Sequence, residues 1–134
     1  MSGSSDWRRS RLYVWGPAMA QALAIFIASS IPDVTRLPGG ISDHTGHFIG
    51  YAMLGAALLH AFAGASLRGV TVGGAVWSLA LSSLYGISDE FHQSFVPGRT
   101  PDVHDWIADT WGAAVAIGVL SAVAFALRRR TREV

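Results

Sequence analysis

The residues of this chain that are best suited to chemistry lie in one segment, residues 85–109. Its sequence, YGISDEFHQSFVPGRTPDVHDWIAD, holds five carboxylates, two histidines and one arginine. The chain as a whole is apolar, because hydrophobic residues make up 51% of its 134 residues and charged residues only 14%. Charged groups are costly to bury unless they pair with one another or bind a ligand. This segment is therefore the first candidate for a functional site.

A second group of polar residues precedes and enters the apolar segment at residues 46–67. Asp43, His47 and Tyr51 recur every four residues, which places them on one face of a helix that starts near Ser42. Ser42 is a good helix N-cap, although Asp43 competes for that role. We therefore expect this face to complete the site from a second helix.

Small residues predict which face of the next apolar segment packs inside the protein. They recur every four positions, at Gly74, Ser78, Ser82 and Gly86. Small side chains let membrane helices approach closely. Glu90 lies one turn further along the same stripe and is expected to point into the bundle. Asp89 and Gln93, four residues apart, form a neighbouring polar pair.

The last apolar segment begins with acidic residues that share one helix face: Asp102, Asp105 and Asp109. Asp105 is the predicted N-cap of this helix, because Trp106 follows at once. Asp109 lies about one turn deeper, where a charged group is costly in lipid and needs a partner. The candidate partners are His47, Arg99 and a metal ion.

Arg99 follows Pro97-Gly98 in the loop between these helices and has two interpretations. It can anchor the turn or pair with Asp102. Its planar guanidinium can equally bind an anionic head group. Both interpretations stay open at this point.

Four apolar segments must position these residues. They cover residues 12–31, 46–67, 69–88 and 106–127, and each has about the 20 residues that a helix needs to cross a bilayer. The predicted fold is an all-α integral membrane bundle of four transmembrane helices in a single domain, residues 1–134. Polar outer loops are expected at residues 32–45 and 89–105, and a tight turn at residues 67–69 makes the second and third helices antiparallel.

The arginines predict the orientation in the membrane. All ten basic residues are arginines, and eight of them lie on the side of the bundle that holds both termini. Because positive charge is retained in the cytoplasm, both termini are predicted to be cytoplasmic. Most carboxylates, including Asp33 and Asp43, fall on the opposite, extracytoplasmic side.

The N-terminal segment also has features of a cleaved signal peptide, since arginines precede an apolar run that ends in IASSIPD. That run is longer than the apolar region of a usual signal peptide. An uncleaved membrane anchor is therefore the expectation.

Three strings carry a resemblance to a known family: DHTGHFIGYAML from Asp43, YGISDEFHQSFVPGR from Tyr85 and DWIADTWG from Asp105. Together they resemble the VanZ-like family of small multi-pass bacterial membrane proteins. The resemblance covers residues 43 to about 118. His44 stands where many members have lysine, and Asp109 stands where many have asparagine.

The resemblance implies a protein of the bacterial inner or plasma membrane that belongs to the cell envelope. The family is named for a protein associated with teicoplanin resistance, which implies a link to glycopeptide antibiotics. It supplies no reaction mechanism.

The polar residues support a first hypothesis, an enzyme that acts on a lipid-linked or envelope substrate bearing phosphate. Its candidate catalytic residues are His47, Asp89, Glu90 and Asp105. Its candidate ligand-binding residues are Asp43, Tyr51, Gln93, Arg99 and Asp109. A divalent metal ion is the candidate cofactor, because imidazole and carboxylate groups suit Mg²⁺, Mn²⁺ or Zn²⁺. Its candidate ligands are His47, Glu90 and Asp109. Without a metal, a neutral His47 beside a carboxylate can act as general base.

Two other classes remain open. The polar site can bind a lipid head group, a cell-wall precursor or a glycopeptide without chemistry, or the protein can be a transporter or flippase, which four short spans support less well. The expected partners are the lipid bilayer and such a lipid or cell-wall precursor, and an oligomer stays open. The sequence has no cysteine, no Walker loop and no G-x-S-x-G elbow. No nucleic-acid partner is expected.

Overall fold

The computed structural model of the chain describes residues 10–32, 36–37 and 39–131. Four helices form the bundle: α1 (Arg11–Ser29), α2 (Asp43–Phe62), α3 (Val72–Gln93) and α4 (Val103–Arg130). A single 3₁₀ turn, Leu67–Gly69, lies between α2 and α3. The predicted four-helix fold is confirmed. Asp33, one of the carboxylates expected on the extracytoplasmic side, lies outside the described residues.

The sequence did not predict the two short strands between α1 and α2. Strands β1 (Arg36–Leu37) and β2 (Ile41–Ser42) pair antiparallel. Gly39 and Gly40 lie between them with φ values of 86° and 77°. Glycine adopts this left-handed region without the steric cost that a Cβ imposes. The strands therefore form a tight hairpin that leads directly into α2.

Polar caps fix where the helices begin. The side chains of Ser42 and Thr71 accept hydrogen bonds from backbone N–H groups in the first turns of α2 and α3. Asp102 caps α4 by accepting from the His104 N–H. The prediction that Ser42 caps its helix is confirmed. The prediction that Asp105 caps α4 is wrong, because Asp105 lies in the first turn of that helix.

Three helices extend beyond the apolar segments into polar sequence at one end. Helix α2 begins at Asp43 instead of residue 46, α3 continues to Gln93 instead of residue 88, and α4 begins at Val103 instead of residue 106. Caps and backbone hydrogen bonds set these limits, whereas hydropathy marks only the apolar part. Much of the predicted outer loop 89–105 is therefore helical.

Each helix runs antiparallel to the next one along the chain, so the bundle has two distinct ends. At the polar end, α1 and α3 finish while α2 and α4 begin. At the arginine end lie Arg11, the 3₁₀ turn with Arg68, and the last turn of α4 with Arg128–Arg130. The α2–α3 connection at this end is longer than the predicted turn, because residues 63–71 all lie outside the two helices.

Helices α2 and α4 pack with unusually close backbones, and two glycines make this possible. A Cβ added at Gly112 would lie 2.1 Å from the carbonyl oxygen of Phe48. A Cβ added at Gly55 would lie 2.9 Å from the Cα of Ala113. The close approach brings the first turns of both helices together at the polar end, where the candidate residues lie.

Candidate functional site

The antiparallel helices bring most of the predicted site residues to the polar end. Helix α2 supplies Asp43, His47 and Tyr51, α3 supplies residues 89–93, and α4 supplies Asp105 and Asp109. The carboxylate, imidazole and amide side chains that are buried there come from three helices: His47, Asp89, Glu90, Gln93, Asp105 and Asp109. Glu90 is only 9% exposed, as the stripe of small residues on α3 predicts.

The centre of the site is the contact between His47 and Asp109. The His47 Nδ1 atom lies 2.9 Å from Asp109 Oδ1, and Asp109 is fully buried. Gly86 makes room for this carboxylate, because a Cβ at that position would lie 2.9 Å from Asp109 Oδ2. Of the two candidate side-chain partners, His47 and Arg99, it is therefore His47 that contacts Asp109.

Asp105 connects two histidines of α2. One of its carboxylate oxygens contacts His44 Nδ1, and the other lies 4.0 Å from His47 Nε2. Sequence reasoning did not place His44 in the site, because only residues 43, 47 and 51 share the four-residue spacing. Its position in the capped first turn of α2 was the signal that could have found it.

Arg99 reaches across the site from the loop between α3 and α4. Its Nη1 atom donates to Asp43 Oδ2 at 3.2 Å, and its side chain is only 7% exposed. The described contact of Arg99 with a carboxylate is thus to Asp43, and of the interpretations left open for Arg99, pairing with Asp102 is not what the described residues show. Asp102 instead contacts the backbone N–H and the ring of His104, each at 2.8 Å. These contacts hold the pKa of Asp102 below its ordinary value.

Glu90 and Gln93 tie α3 to its surroundings. Glu90 Oε2 accepts a hydrogen bond from the backbone N–H of Asp102 at 2.8 Å. This bond links the end of α3 to the cap of α4. Gln93 Nε2 donates to Asp89 Oδ2 at 3.5 Å. The predicted neighbouring pair on α3 is confirmed.

A cavity of about 190 Å³ opens beside these groups, between α1 and α2. Its polar lining includes Asp43, His47, Asp89 and Arg99, with Tyr51 at the same wall. Its other side is a mostly apolar surface formed by Ala24, Ile25 and Ala28 of α1 and by Ile31 just after that helix, together with the polar residues Gln21 and Ser29. The contribution of α1 was not predicted, because that segment has no polar stripe to show which face is turned inward.

The VanZ/LLP1 family model matches residues 12–125, which is most of the chain. The chain belongs to the VanZ/LLP1 family. The resemblance found in three strings of the sequence is therefore confirmed. No curated protein and no solved structure shows significant similarity to the chain.

In this VanZ/LLP1 protein, two of the described helices are long and apolar enough to cross a membrane, namely α1 and α4. They bury only 17% and 28% of their most apolar windows inside the protein. A core helix of a soluble protein is mostly buried, whereas these two expose large side chains such as Leu12 and Met19. Family membership and these helices indicate a membrane protein.

The VanZ/LLP1 site offers three overlapping groups of metal-type ligands among the described residues. The groups are Asp43, His47 and Asp105; His44, Asp102 and Asp105; and His47, Glu90 and Asp109. Within each group, one ligand atom from each residue lies within 4.8 Å of the other two. Imidazole nitrogen with carboxylate oxygen suits Mn²⁺ or Zn²⁺.

Proposed function

We propose that this chain crosses the cytoplasmic membrane of a bacterium four times and binds the phosphate-bearing head group of a lipid-linked envelope molecule at its polar end. The four spans are the helices α1 to α4. With 20 and 22 residues, α2 and α3 are each about 30 Å long or slightly more, which suffices to cross the hydrocarbon core.

The arginine end supports the proposed orientation. Among the described residues, Arg11, Arg68 and the run Arg128–Arg130 share that end, while Arg36 and Arg99 lie at the polar end. Arginine is retained on the cytoplasmic side. Both termini would then be cytoplasmic, and the polar site would lie at the extracytoplasmic membrane face.

The cavity between α1 and α2 is the observation that carries the ligand proposal. One wall presents Arg99, His47 and two aspartates, while the wall from α1 is mostly apolar and has Gln21 and Ser29 as its polar residues. A lipid-linked ligand has the same two chemical parts, a charged head and a hydrocarbon chain. A volume of about 190 Å³ suits a small head group, since it is below the range of about 300–1,000 Å³ for drug-sized ligands.

Replacing Arg99 tests this proposal. The full chain in lipid nanodiscs is titrated with a polyprenyl diphosphate and, separately, with phosphatidylglycerol, and binding is measured by native mass spectrometry. We expect Arg99→Gln to weaken binding of the diphosphate by about 10- to 100-fold, because a hydrogen bond to a charged group is lost. Arg129→Gln at the arginine end is the matched control.

Equal diphosphate binding by wild type and Arg99→Gln would contradict the proposal. Preference for phosphatidylglycerol would move the ligand class from a lipid-linked precursor to a bulk phospholipid. Should the ligand be a cell-wall precursor, we expect expression of the protein to raise teicoplanin tolerance in a sensitive host. Arg99→Gln should lose that effect.

Hydrolysis of the bound head group is a second candidate, favoured by one contact. His47 lines the cavity, and its Nδ1 lies 2.9 Å from the buried carboxylate of Asp109. A carboxylate in this position orients an imidazole as a general base. For a diphosphate, His47 would take a proton from water while the water oxygen bonds to phosphorus. When the attacked phosphorus is the terminal one, the bridging P–O bond breaks and the lipid monophosphate leaves as an anion. Inorganic phosphate is released with the water oxygen, and the proton on His47 returns to solvent.

Release of phosphate separates the two candidates. Turnover that is lost in His47→Gln, with binding of the diphosphate retained, would establish hydrolysis. Tight binding without any product in wild type would leave the protein a binding protein. His60→Gln, at the other end of α2, controls for loss of a histidine.

A further inference from the structure

The charge of the polar end does not suit an anionic head group by itself. Two arginines, Arg36 and Arg99, are described at this end, and Arg99 contacts one of its carboxylates. The described carboxylates of the polar end are Asp43, Asp89, Glu90, Asp102, Asp105 and Asp109. Because these carboxylates outnumber the arginines, the described site favours cations over anions. A phosphate that entered it would be repelled unless a further cation were bound.

Three side chains from three different helices are placed to hold such a cation. One ligand atom each from His47, Glu90 and Asp109 lies within 4.8 Å of the other two. The 2.9 Å between His47 Nδ1 and Asp109 Oδ1 equals the separation of adjacent ligands around an octahedral ion. That separation is about 3 Å when metal–ligand bonds are about 2.1 Å long. A small movement of Glu90 would complete the set.

Two buried carboxylate oxygens are independent evidence for a cation at His47, Glu90 and Asp109. Glu90 Oε1 and Asp109 Oδ2 are buried and have no hydrogen-bond partner among the described residues. Glu90 is 9% exposed and Asp109 is fully buried. A buried carboxylate oxygen without a partner carries a large desolvation cost. A cation bound by Glu90 Oε1 and by both oxygens of the Asp109 carboxylate would remove that cost.

We propose that His47, Glu90 and Asp109 bind a divalent cation of the Mn²⁺ or Zn²⁺ class, and that this cation attracts the phosphate of the head group. The second half of this statement rests on the proposed function, whereas the cation site does not. Asp105 has a positioning role, because its Oδ2 lies 4.0 Å from His47 Nε2. Carboxylates near the second ring nitrogen commonly orient metal-binding histidines.

The competing group of Asp43, His47 and Asp105 is less suited to the cation. Asp43 Oδ2 already accepts from Arg99, and an oxygen of Asp105 already contacts His44. The oxygens without partners belong instead to Glu90 and Asp109. Because His47 is common to both groups, Glu90 and Asp43 are the residues that distinguish them.

Titration with Mn²⁺ tests the site directly. The full chain is purified in detergent, stripped with EDTA and titrated with Mn²⁺, and free Mn²⁺ is measured by electron paramagnetic resonance. We expect one saturable site in wild type and at least about tenfold weaker binding in Glu90→Gln, which keeps the size of the side chain. Asp43→Asn and His60→Gln should bind Mn²⁺ as wild type does, and circular dichroism should show that all variants are folded.

Two results would overturn the cation site. One is the absence of saturable binding of both Mn²⁺ and Zn²⁺ to folded wild type. The other is weaker Mn²⁺ binding in Asp43→Asn while Glu90→Gln binds Mn²⁺ as tightly as wild type does. That result would assign the ion to the competing group.

The same preparations test the cation site and the proposed function separately. Diphosphate binding that is equal with Mn²⁺ and with EDTA would remove the role of the cation in ligand binding but leave the proposed function intact. Saturable Mn²⁺ binding without any diphosphate binding would leave the cation site and remove the proposed function. Arg99→Gln should keep its Mn²⁺ affinity while it loses the diphosphate.

Discussion

The two ends of the α2–α4 pair differ in what they bury. Towards the arginine end, the buried side chains are mostly apolar and include Leu59, Ala113, Ile117 and Ala124, with Ser121 as a polar exception. Towards the polar end, the same two helices bury a histidine and two aspartates. Both halves depend on close backbone contact. The difference shows that helix packing alone does not require the polar groups, because apolar residues fill the other half.

The two ends also differ in the side-chain contacts that join their elements. The contacts of the polar end join ionisable groups on separate elements, such as His47 with Asp109 and Arg99 with Asp43. At the arginine end, the described arginines are exposed except Arg128, which is half-buried and bonds to backbone carbonyls instead of to a carboxylate. Buried pairs often add less stability than apolar residues of the same volume. We infer that the polar end is adapted to ligand binding and the arginine end to stability.

The largest expected effect comes from breaking the buried pair at the polar end. We expect His47→Leu to lower the free energy of unfolding by about 3–5 kcal/mol, because Asp109 is left as an uncompensated buried charge. Unfolding is measured by SDS titration in mixed micelles that contain EDTA, so that metal binding contributes nothing.

A double variant sharpens this prediction. Changing Asp109 to Asn in the His47→Leu background removes the buried charge at nearly constant volume, and most of the lost stability should return. If the double variant is as unstable as His47→Leu, the histidine itself stabilises the polar end, and the contrast between the two ends disappears.

A smaller effect is expected from separating the helices without touching any charge. In Gly112→Ala the new Cβ would lie 2.1 Å from the Phe48 carbonyl oxygen. The helices must shift, and a loss of about 1–3 kcal/mol is expected from such overpacking. Because Gly112 lies one turn after Asp109, the shift should also weaken Mn²⁺ binding.

Gly118→Ala is the matched control on the same helix. A Cβ there meets nothing within 4 Å, and alanine has the higher helix propensity by up to about 1 kcal/mol. This variant should be neutral or slightly more stable. Equal losses in the two variants would show that close α2–α4 packing is not what aligns the polar end.

Much of this arrangement could be predicted from the sequence, because helical spacing decides which residues share a face. Asp43, His47 and Tyr51 were assigned to one face, and the small residues of α3 predicted that Glu90 points inward. The cap of α4 was misassigned to Asp105, since hydropathy shows where apolar sequence ends but not where backbone hydrogen bonding begins. Asp102 lies in polar sequence, ahead of the apolar segment 106–127.

The sequence limited the possible partners of each charged residue on the other helices, but it did not identify which partner each residue contacts. Asp109 had three candidate partners, and only the packing of α2 on α4 selects His47. The pairing of Arg99 with Asp43 depends on how the α3–α4 loop folds over α2, which no spacing encodes. The apolar wall from α1 depends on the rotation of that helix, and its sequence has no polar stripe to indicate the rotation.

The smallest expected effect is at the arginine end, where Arg128 joins α4 to the α2–α3 connection. Its guanidinium donates to the carbonyl oxygens of Val70 at 2.7 Å and Arg68 at 3.4 Å. We expect Arg128→Gln to lower the free energy of unfolding by about 1 kcal/mol, since glutamine is too short to reach both carbonyls and the site is partly hydrated. Arg129→Gln, on the exposed face of the same turn, should change stability by less than about 0.5 kcal/mol. Neither variant should alter Mn²⁺ binding, because the ion is proposed to lie at the opposite end of the helix. A change in Mn²⁺ affinity in Arg128→Gln would mean that the two ends are coupled through α4, and the division of stability and binding between them would then be wrong.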